Sequence, residues 1–133
     1  MRKVLFVCWG NICRSPMAEY TLKSLSEDIY CESRAVSNEE EGKDLYLPAK
    51  RCLERHGISY ERHYARKITQ DDYEEFDEIY VMDQLNMDRI RKIINDHDHK
   101  IKYLLNKEIE DPWWTGRYDK VYEEIYEGIL NIL

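Results

Sequence analysis

Cys8, Arg14 and Ser15 stand in the order Cys-x5-Arg-Ser within the stretch VCWGNICRSP, residues 7–16. A thiol and a guanidinium at that separation suit a loop that folds around an anion. The planar fork of Arg14 meets two oxygens of a tetrahedral dianion at once. Gly10 permits backbone conformations that turn several amides inward. Amides so aimed, together with a helix N-terminus, form an anion-binding concavity. The same field acts on Cys8, because positive potential stabilises a thiolate; sites of this kind lower a cysteine pKa from about 8.5 to roughly 3.5–7.5. An ionised sulfur beneath a bound dianion is a nucleophile for phosphorus. The spacing carries this meaning only between a strand and a helix. A structural cysteine beside a helix-capping Ser-Pro explains Ser15 and Pro16, but not Gly10, Asn11 and Arg14 together.

The flanking residues supply that context. KVLFVC, ending at Cys8, is a continuous apolar run, as in a strand buried on both faces of a parallel sheet. Pro16 suits the first turn of a helix and Ser15 its N-cap, with Ala18, Leu22 and Leu25 on one apolar face. IYCESRAV predicts a second strand. LPAKRCLERHG predicts a helix opened by Pro48 and closed before Gly57, with Ala49, Cys52 and Leu53 facing the core. TQDDYEEF predicts a short helix capped by Thr69 or Asp71. DEIYVMD and IKYLLN predict further strands, and QLNMDRIRKIIND and YDKVYEEIYEGILNIL two further helices. Strand and helix alternate, so the expected fold is α/β: one domain over residues 1–133, a doubly wound four-stranded parallel sheet flanked by helices. In such a sheet ligands bind beyond the carboxyl ends of the strands, where the 8–15 loop lies.

Composition removes several classes of function. The chain has 133 residues and a formal charge of −7, which argues against general nucleic-acid binding but allows a local positive pocket. No apolar run approaches the roughly 20 residues of a membrane helix, and the start is too soon interrupted for a signal peptide, so a cytoplasmic protein is expected. Cys8, Cys13, Cys31 and Cys52 then read as thiols rather than disulfides. No Cys-x-x-Cys occurs and no Cys/His pairing has zinc spacing, so neither metal nor other cofactor is expected. GKD at 42–44 lacks the upstream glycine and following Ser or Thr of a P-loop. The run NEEEGKD reads as an acidic solvated loop.

CWGNICRSPMAEY near the N-terminus and DPWW at 111–114 resemble the low-molecular-weight protein tyrosine phosphatases, and RHGI at 55–58, AR at 65–66 and VMD at 81–83 follow in matching order. The resemblance covers nearly the whole chain. It implies that Cys8 is the nucleophile and that a phosphocysteine forms. The phosphate-binding loop runs through Cys8, Trp9, Gly10, Asn11, Ile12, Cys13, Arg14 and Ser15. Arg14 grips the phosphoryl group, Ser15 stabilises the thiolate, and Asn11 holds the loop with Ser33 and His56 as partners. Asp111 is the general acid, as the chemistry also demands: tyrosinate leaves poorly, and a placed acid contributes about 10²–10⁴ in rate. Trp9, Trp113 and Trp114 wall the substrate. The implied partners are phosphotyrosyl proteins or peptides, with inorganic phosphate or vanadate as inhibitors, acid phosphatase activity on small aryl phosphates, and a monomer or weak dimer.

The pattern departs from the family in places. Family members usually carry Asp-Ser-Ala-Gly-Thr after the second strand; this chain has Glu32, Ser33, Arg34, Ala35 and Val36, which leaves the path of the 37–46 loop open. If that acidic loop borders the site, it disfavours acidic phosphopeptides. Trp113 and Trp114 replace tyrosines that can be phosphorylated in the animal enzymes. Cys13 could trap oxidised Cys8 as a disulfide. An arsenate reductase on this scaffold needs a downstream thiol relay that Cys13, Cys31 and Cys52 do not offer. A protein-arginine phosphatase tends to carry threonine where Ile12 stands. A non-catalytic phosphotyrosine-binding module needs neither Cys8 nor Asp111.

Overall fold

A computed structural model describes all residues, 1–133. In chain order the elements are β1 (Arg2–Cys8), α1 (Arg14–Leu25), β2 (Ile29–Ala35), α2 (Leu47–Arg55), α3 (Gln70–Glu75), β3 (Glu78–Val81), α4 (Gln84–Ile93), β4 (Ile101–Tyr103), α5 (Pro112–Thr115) and α6 (Tyr118–Ile132). The four strands form one parallel sheet in the order β2-β1-β3-β4.

β1 is central, and its side chains alternate between two cores. Val4, Phe6 and Cys8 pack with residues of α1, α2 and α6, among them Met17, Leu53, Val121 and Ile125. Leu5 and Val7 pack with Tyr73 and Phe76 at α3 and Met87 and Ile90 of α4. A strand covered on both faces explains the unbroken apolar run; each such large side chain contributes about 1.5–3 kcal/mol on burial. No helix is long and apolar enough to cross a membrane.

Strand order reverses between β1 and β3, so the loops leaving their carboxyl ends diverge there and open a crevice. β4 is short. The sequence reading extends this strand to Asn106, but the ladder ends at Tyr103; Leu104 N still donates to Val81 O at 2.9 Å before the chain turns away. Leu104 then packs on Gly128 of α6, where a Cβ would lie 2.7 Å from Leu104 Cγ and 2.9 Å from its carbonyl oxygen. Ile109 N returns to Met82 O at 2.9 Å, which carries the segment back over the crevice.

Three local expectations are corrected. Ser15 is not the N-cap of α1; Cys13 is, and the Ser15 hydroxyl turns inward instead. Leu25 is 40% exposed rather than in the core, because it belongs to the solvent-facing last turn of α1 with Lys23 and Ser24. Asp111-Pro112 opens a four-residue helix, α5, which the sequence reading does not contain. Ala35 settles the path of the loop that follows it. Its N–H donates to Arg66 O at 2.7 Å and its carbonyl accepts from Ile68 N at 2.8 Å, so an extended segment lies along β2; Val36 N and Ser37 N then bond to the carbonyls of Cys8 and Trp9.

Candidate active site

The β1–α1 loop curls around the Cys8 sulfur. Asn11 N lies 3.3 Å from Cys8 Sγ, Ser15 N 3.4 Å, and Ser15 Oγ 3.1 Å. Hydrogen-bond donors gathered on one sulfur stabilise negative charge there. Cys8 is 3% exposed yet lines a cavity of about 470 Å³.

Asn11 shapes the loop. Its φ is +61°, a left-handed conformation that costs a non-glycine residue about 1–2 kcal/mol and that asparagine tolerates better than most. The side chain, fully buried, is saturated: Nδ2 donates to Ser15 Oγ at 2.8 Å and to Ser33 Oγ at 3.0 Å, and Oδ1 accepts from Arg66 N at 3.1 Å. The Ser33 hydroxyl in turn donates a hydrogen bond to Glu19 Oε1 at 2.6 Å. With Asn11 filling a lone pair on Ser15, the Ser15 hydrogen is left for Cys8 Sγ or the Arg34 carbonyl at 3.3 Å. Asn11 Nδ2 thus donates to both serines, anchoring itself on Ser33 while it aims the Ser15 hydroxyl at the sulfur.

Ser33 is therefore where the sequence reading puts it, and His56 is not. His56 caps α2, bonds Asp119 Oδ1 at 3.0 Å and stacks on Tyr122, because a histidine at the end of this helix faces α6. The histidine on the loop is His63, whose Nε2–H donates to Asn11 O at 2.8 Å. A signal for it exists: in ERHYAR, His63 and Ala65 are buried while Arg62, Tyr64 and Arg66 are exposed, the two-residue alternation of an extended segment.

Arg14 crosses the crevice. The guanidinium is 2% exposed, donates to Asp83 Oδ2 at 2.7 Å and to Ile109 O at 2.8 Å, and lies 3.6 Å from Asp111 Oδ2. Burial opposes its charge, but Cys8, Asp83 and Asp111 outweigh that and hold it protonated above the usual arginine range. Asp83, the N-cap of α4, was not singled out from sequence; its other oxygen accepts from Asn86 N at 2.8 Å. Asp111 caps α5, with Oδ1 accepting from Trp113 N at 3.0 Å and Oδ2 on the Arg14 side.

Trp9, Gly10, Ile12 and Cys13 of the loop, and Trp113 and Trp114 opposite, complete the predicted lining. The two tryptophans form an edge-to-face pair, 49% and 79% exposed, so neither packs inside. Sequence reasoning missed Leu85, exposed at the rim, and left open whether the 37–46 loop reaches the site; Glu39 and Glu40 line the cavity, and Trp9 Nε1 donates to Glu39 at 3.1 Å. Cys13 Sγ lies 3.8 Å from Tyr118 Oη, and burial pushes its thiol up to about 12. Cys13, Cys31 and Cys52 are all buried, so they form no thiol relay to the surface.

The sequence model described as low molecular weight phosphotyrosine protein phosphatase matches residues 3–133. The chain is 36% identical over 146 residues to the low molecular weight phosphotyrosine protein phosphatase of Gallus gallus, covering 98% of this chain and 90% of that one. It is 33% identical over 147 residues to the low molecular weight protein-tyrosine-phosphatase YfkJ of Bacillus subtilis, covering 100% and 94%. Of solved structures, SP-PTP, a low molecular weight protein tyrosine phosphatase from Streptococcus pyogenes, superposes with a TM-score of 0.95 at 35% identity, covering 100% and 91%. Vibrio vulnificus Wzb, in complex with benzylphosphonate, superposes with a TM-score of 0.90 at 26% identity, covering 98% and 95%.

Burial drives the His63 imidazole below its ordinary value of 6.5. The unfolded chain therefore takes up this proton first as pH falls, so stability present above about 6.5 is lost on acidification through that value and down to the folded-state value. A His63→Gln variant keeps an N–H for the Asn11 carbonyl but not the titration. Urea unfolding at pH 7 and at pH 5.5 is expected to show a larger loss for the wild type than for the variant; equal losses would contradict a buried neutral His63.

Proposed function

The chain belongs to the low molecular weight phosphotyrosine protein phosphatase family and is a hydrolase, a protein tyrosine phosphatase; from that premise we propose that Cys8 is its nucleophile, Arg14 its phosphate ligand and Asp111 its general acid. The observation that carries this reading is the convergence on Cys8 Sγ of Asn11 N, Ser15 N and Ser15 Oγ at 3.3, 3.4 and 3.1 Å, on a cavity that Arg14 and Asp111 share.

In the first step Cys8 Sγ attacks phosphorus in line with the tyrosyl oxygen, the P–O bond breaks, and Asp111 gives its proton to the departing phenolate. The loop amides and the Arg14 fork bind the three equatorial oxygens, where charge builds in the transition state. Asp83, bonded to one side of the guanidinium, orients that fork and is a positioning residue. In the second step a water attacks the phosphocysteine while Asp111 takes its proton, and the Ser15 hydroxyl stabilises the departing thiolate. Trp9, Trp113 and Trp114 wall the aryl group, with stacking contributions of about 0.5–1.5 kcal/mol per ring pair. Phosphotyrosyl proteins or peptides are the substrates in a cytoplasmic setting. Small aryl phosphates turn over as well, and inorganic phosphate or vanadate competes for the loop.

Two refinements follow from the residues around the loop. Glu39 and Glu40 set a negative field at the mouth, which selects phosphotyrosyl segments with basic neighbours. Cys13 serves as a redox guard: peroxide converts Cys8 to the sulfenic acid, and the Cys13 thiol then closes the disulfide with release of water. Burial of that thiol slows the closure, because attack requires loss of its proton.

Turnover of p-nitrophenyl phosphate without added metal is expected to vanish in Cys8→Ser. Asp111→Ala should lose about 10²–10⁴ in rate on phosphotyrosine and less on the nitrophenyl ester, whose leaving group needs little protonation; equal losses on both would remove Asp111 as the acid. At low salt, basic phosphotyrosyl peptides should outpace acidic ones by up to about fivefold, the span that exposed charge pairs of about 0.2–1 kcal/mol allow. Glu39→Gln with Glu40→Gln should collapse the ratio, and an unchanged ratio would dismiss the acidic loop. After peroxide, wild-type activity should return with added thiol while Cys13→Ser stays inactive; full recovery of that variant would count against the guard.

A further inference from the structure

We propose that Cys52, His56 and Asp119 form a binding site for one thiophilic divalent cation, such as Zn²⁺, bridging α2 to α6 with the buried Cys52 at its floor and Asp119 at its solvent side. Cys52 and His56 are four residues apart on α2 and its C-cap, a separation that puts both side chains on one helix face. Asp119, 63 residues from His56 in sequence, comes from the first turn of α6. His56 Nε2 is 3.0 Å and Cys52 Sγ 3.7 Å from Asp119 Oδ1, and all three ligand atoms lie within 4.8 Å of one another. Bond lengths of about 2.3 Å to sulfur and 2.0–2.1 Å to nitrogen or oxygen place tetrahedral ligands roughly 3.3–3.6 Å apart. The three atoms thus need shifts of only a few tenths of an ångström to about one to enclose an ion.

The surroundings are those of a held ligand set. The His56 ring lies 3.9 Å from the Tyr122 ring, 16° from parallel, which fixes Nε2 toward Asp119. Cys52 is fully buried and takes no part in the phosphatase chemistry, whereas the Asp119 side chain is 60% exposed, so ions reach the site from its open side and a water can fill the fourth position. The donor set of thiolate, imidazole and carboxylate favours zinc, cadmium or cobalt over magnesium or calcium. A dication with one thiolate and one carboxylate makes a neutral centre. On binding, the S–H bond of Cys52 breaks, its proton goes to solvent, and a sulfur–metal bond forms. Burial holds that thiol up to about 11, so affinity rises with pH, by about tenfold per unit from this proton alone. The competitor is the Arg55 guanidinium, which donates to Asp119 Oδ1 and Oδ2 at 3.1 and 3.2 Å; the metal must displace it. Arg51, Arg117 and Lys120 border the adjoining depression and are engaged by Glu54 and Glu110. The expectation that the chain lacks a metal site came from linear Cys/His spacing, to which a ligand 63 residues away is invisible.

Calorimetric titration of the full-length Cys8→Ser chain, which removes the reactive sulfur of the other site, tests this with Zn²⁺. One equivalent is expected to bind, and Co²⁺ should produce a thiolate-to-metal charge-transfer band with tetrahedral visible absorption. Cys52→Ala should weaken Zn²⁺ binding at least tenfold. Asp119→Asn, at an exposed position that spares the core, should do the same even if the cysteine variant does not fold. Arg55→Gln should tighten binding severalfold, because it frees the carboxylate. Zn²⁺ affinity unchanged by Asp119→Asn, a Co²⁺ spectrum without the thiolate band, or no binding tighter than millimolar would each overturn the site.

Discussion

The left-handed backbone at Asn11 is the constraint on which the loop depends. A residue with a Cβ does not hold φ of +61° unaided, and the unfavourable conformation persists because everything polar on Asn11 is engaged. The side chain ties Ser15, Ser33 and Arg66, the amide points at Cys8 Sγ, and the carbonyl is held by His63. The bonds come from α1, β2 and the extended segment before α3, so three separate parts of the chain must be in place before the loop closes. A glycine would relax the backbone but lose the side-chain bonds that aim Ser15 at the sulfur. Asparagine alone combines a tolerance for this region with two donors and an acceptor on a short arm.

Arg14 extends the same logic across the crevice. A buried guanidinium is costly unless paired and hydrogen-bonded, and one left alone would oppose folding. Its partners come from the β3–α4 junction, through Asp83, and from the return segment before α5, through the Ile109 carbonyl and Asp111. The turn at Leu104, the contact on Gly128 and the Ile109–Met82 bond bring that segment home. The bonds to Asp83 and to the Ile109 carbonyl fix the plane of the guanidinium in advance. This is preorganisation in the sense that matters for catalysis: the donors do not have to reorient as charge develops.

Much of this was legible before any coordinates. Unbroken apolar runs identified β1 and β3, and alternation with amphipathic helices identified the sheet, because burial on both faces leaves a plain mark. The loop's place between a strand and a helix, at the mouth of a cavity, was legible because its residues are contiguous. What failed depended on tertiary placement. Ser15 obeys the local grammar of a helix cap, yet the network around Cys8 claims its hydroxyl and moves the cap to Cys13. His56 and His63 are indistinguishable by type, and only the path of the extended segment along β2 decides which one reaches Asn11. Asp83 was visible as part of a strand-end motif, but its bond to a guanidinium 69 residues away was not.

The four cysteines show why residue type underdetermines chemistry. All are buried, and burial by itself works against a thiolate. Cys13 and Cys31 are pushed up to about 12 and Cys52 to about 11, each by desolvation first, with acidic neighbours adding to it. Their own contacts are with Tyr118 for Cys13, a backbone carbonyl for Cys31, and a carbonyl and a carboxylate for Cys52. The carbonyls and the carboxylate accept the thiol hydrogen, while the Tyr118 hydroxyl only partly offsets the desolvation of Cys13. Cys8 differs in what faces it: two backbone amides and a hydroxyl whose lone pair is already filled by Asn11. Depth is common to all four thiols; what sets Cys8 apart is the direction of the neighbouring N–H and O–H groups. The same distinction leaves Cys52 beside the two side chains that could lower the cost of its ionisation, an imidazole and a carboxylate, only when a cation sits among them.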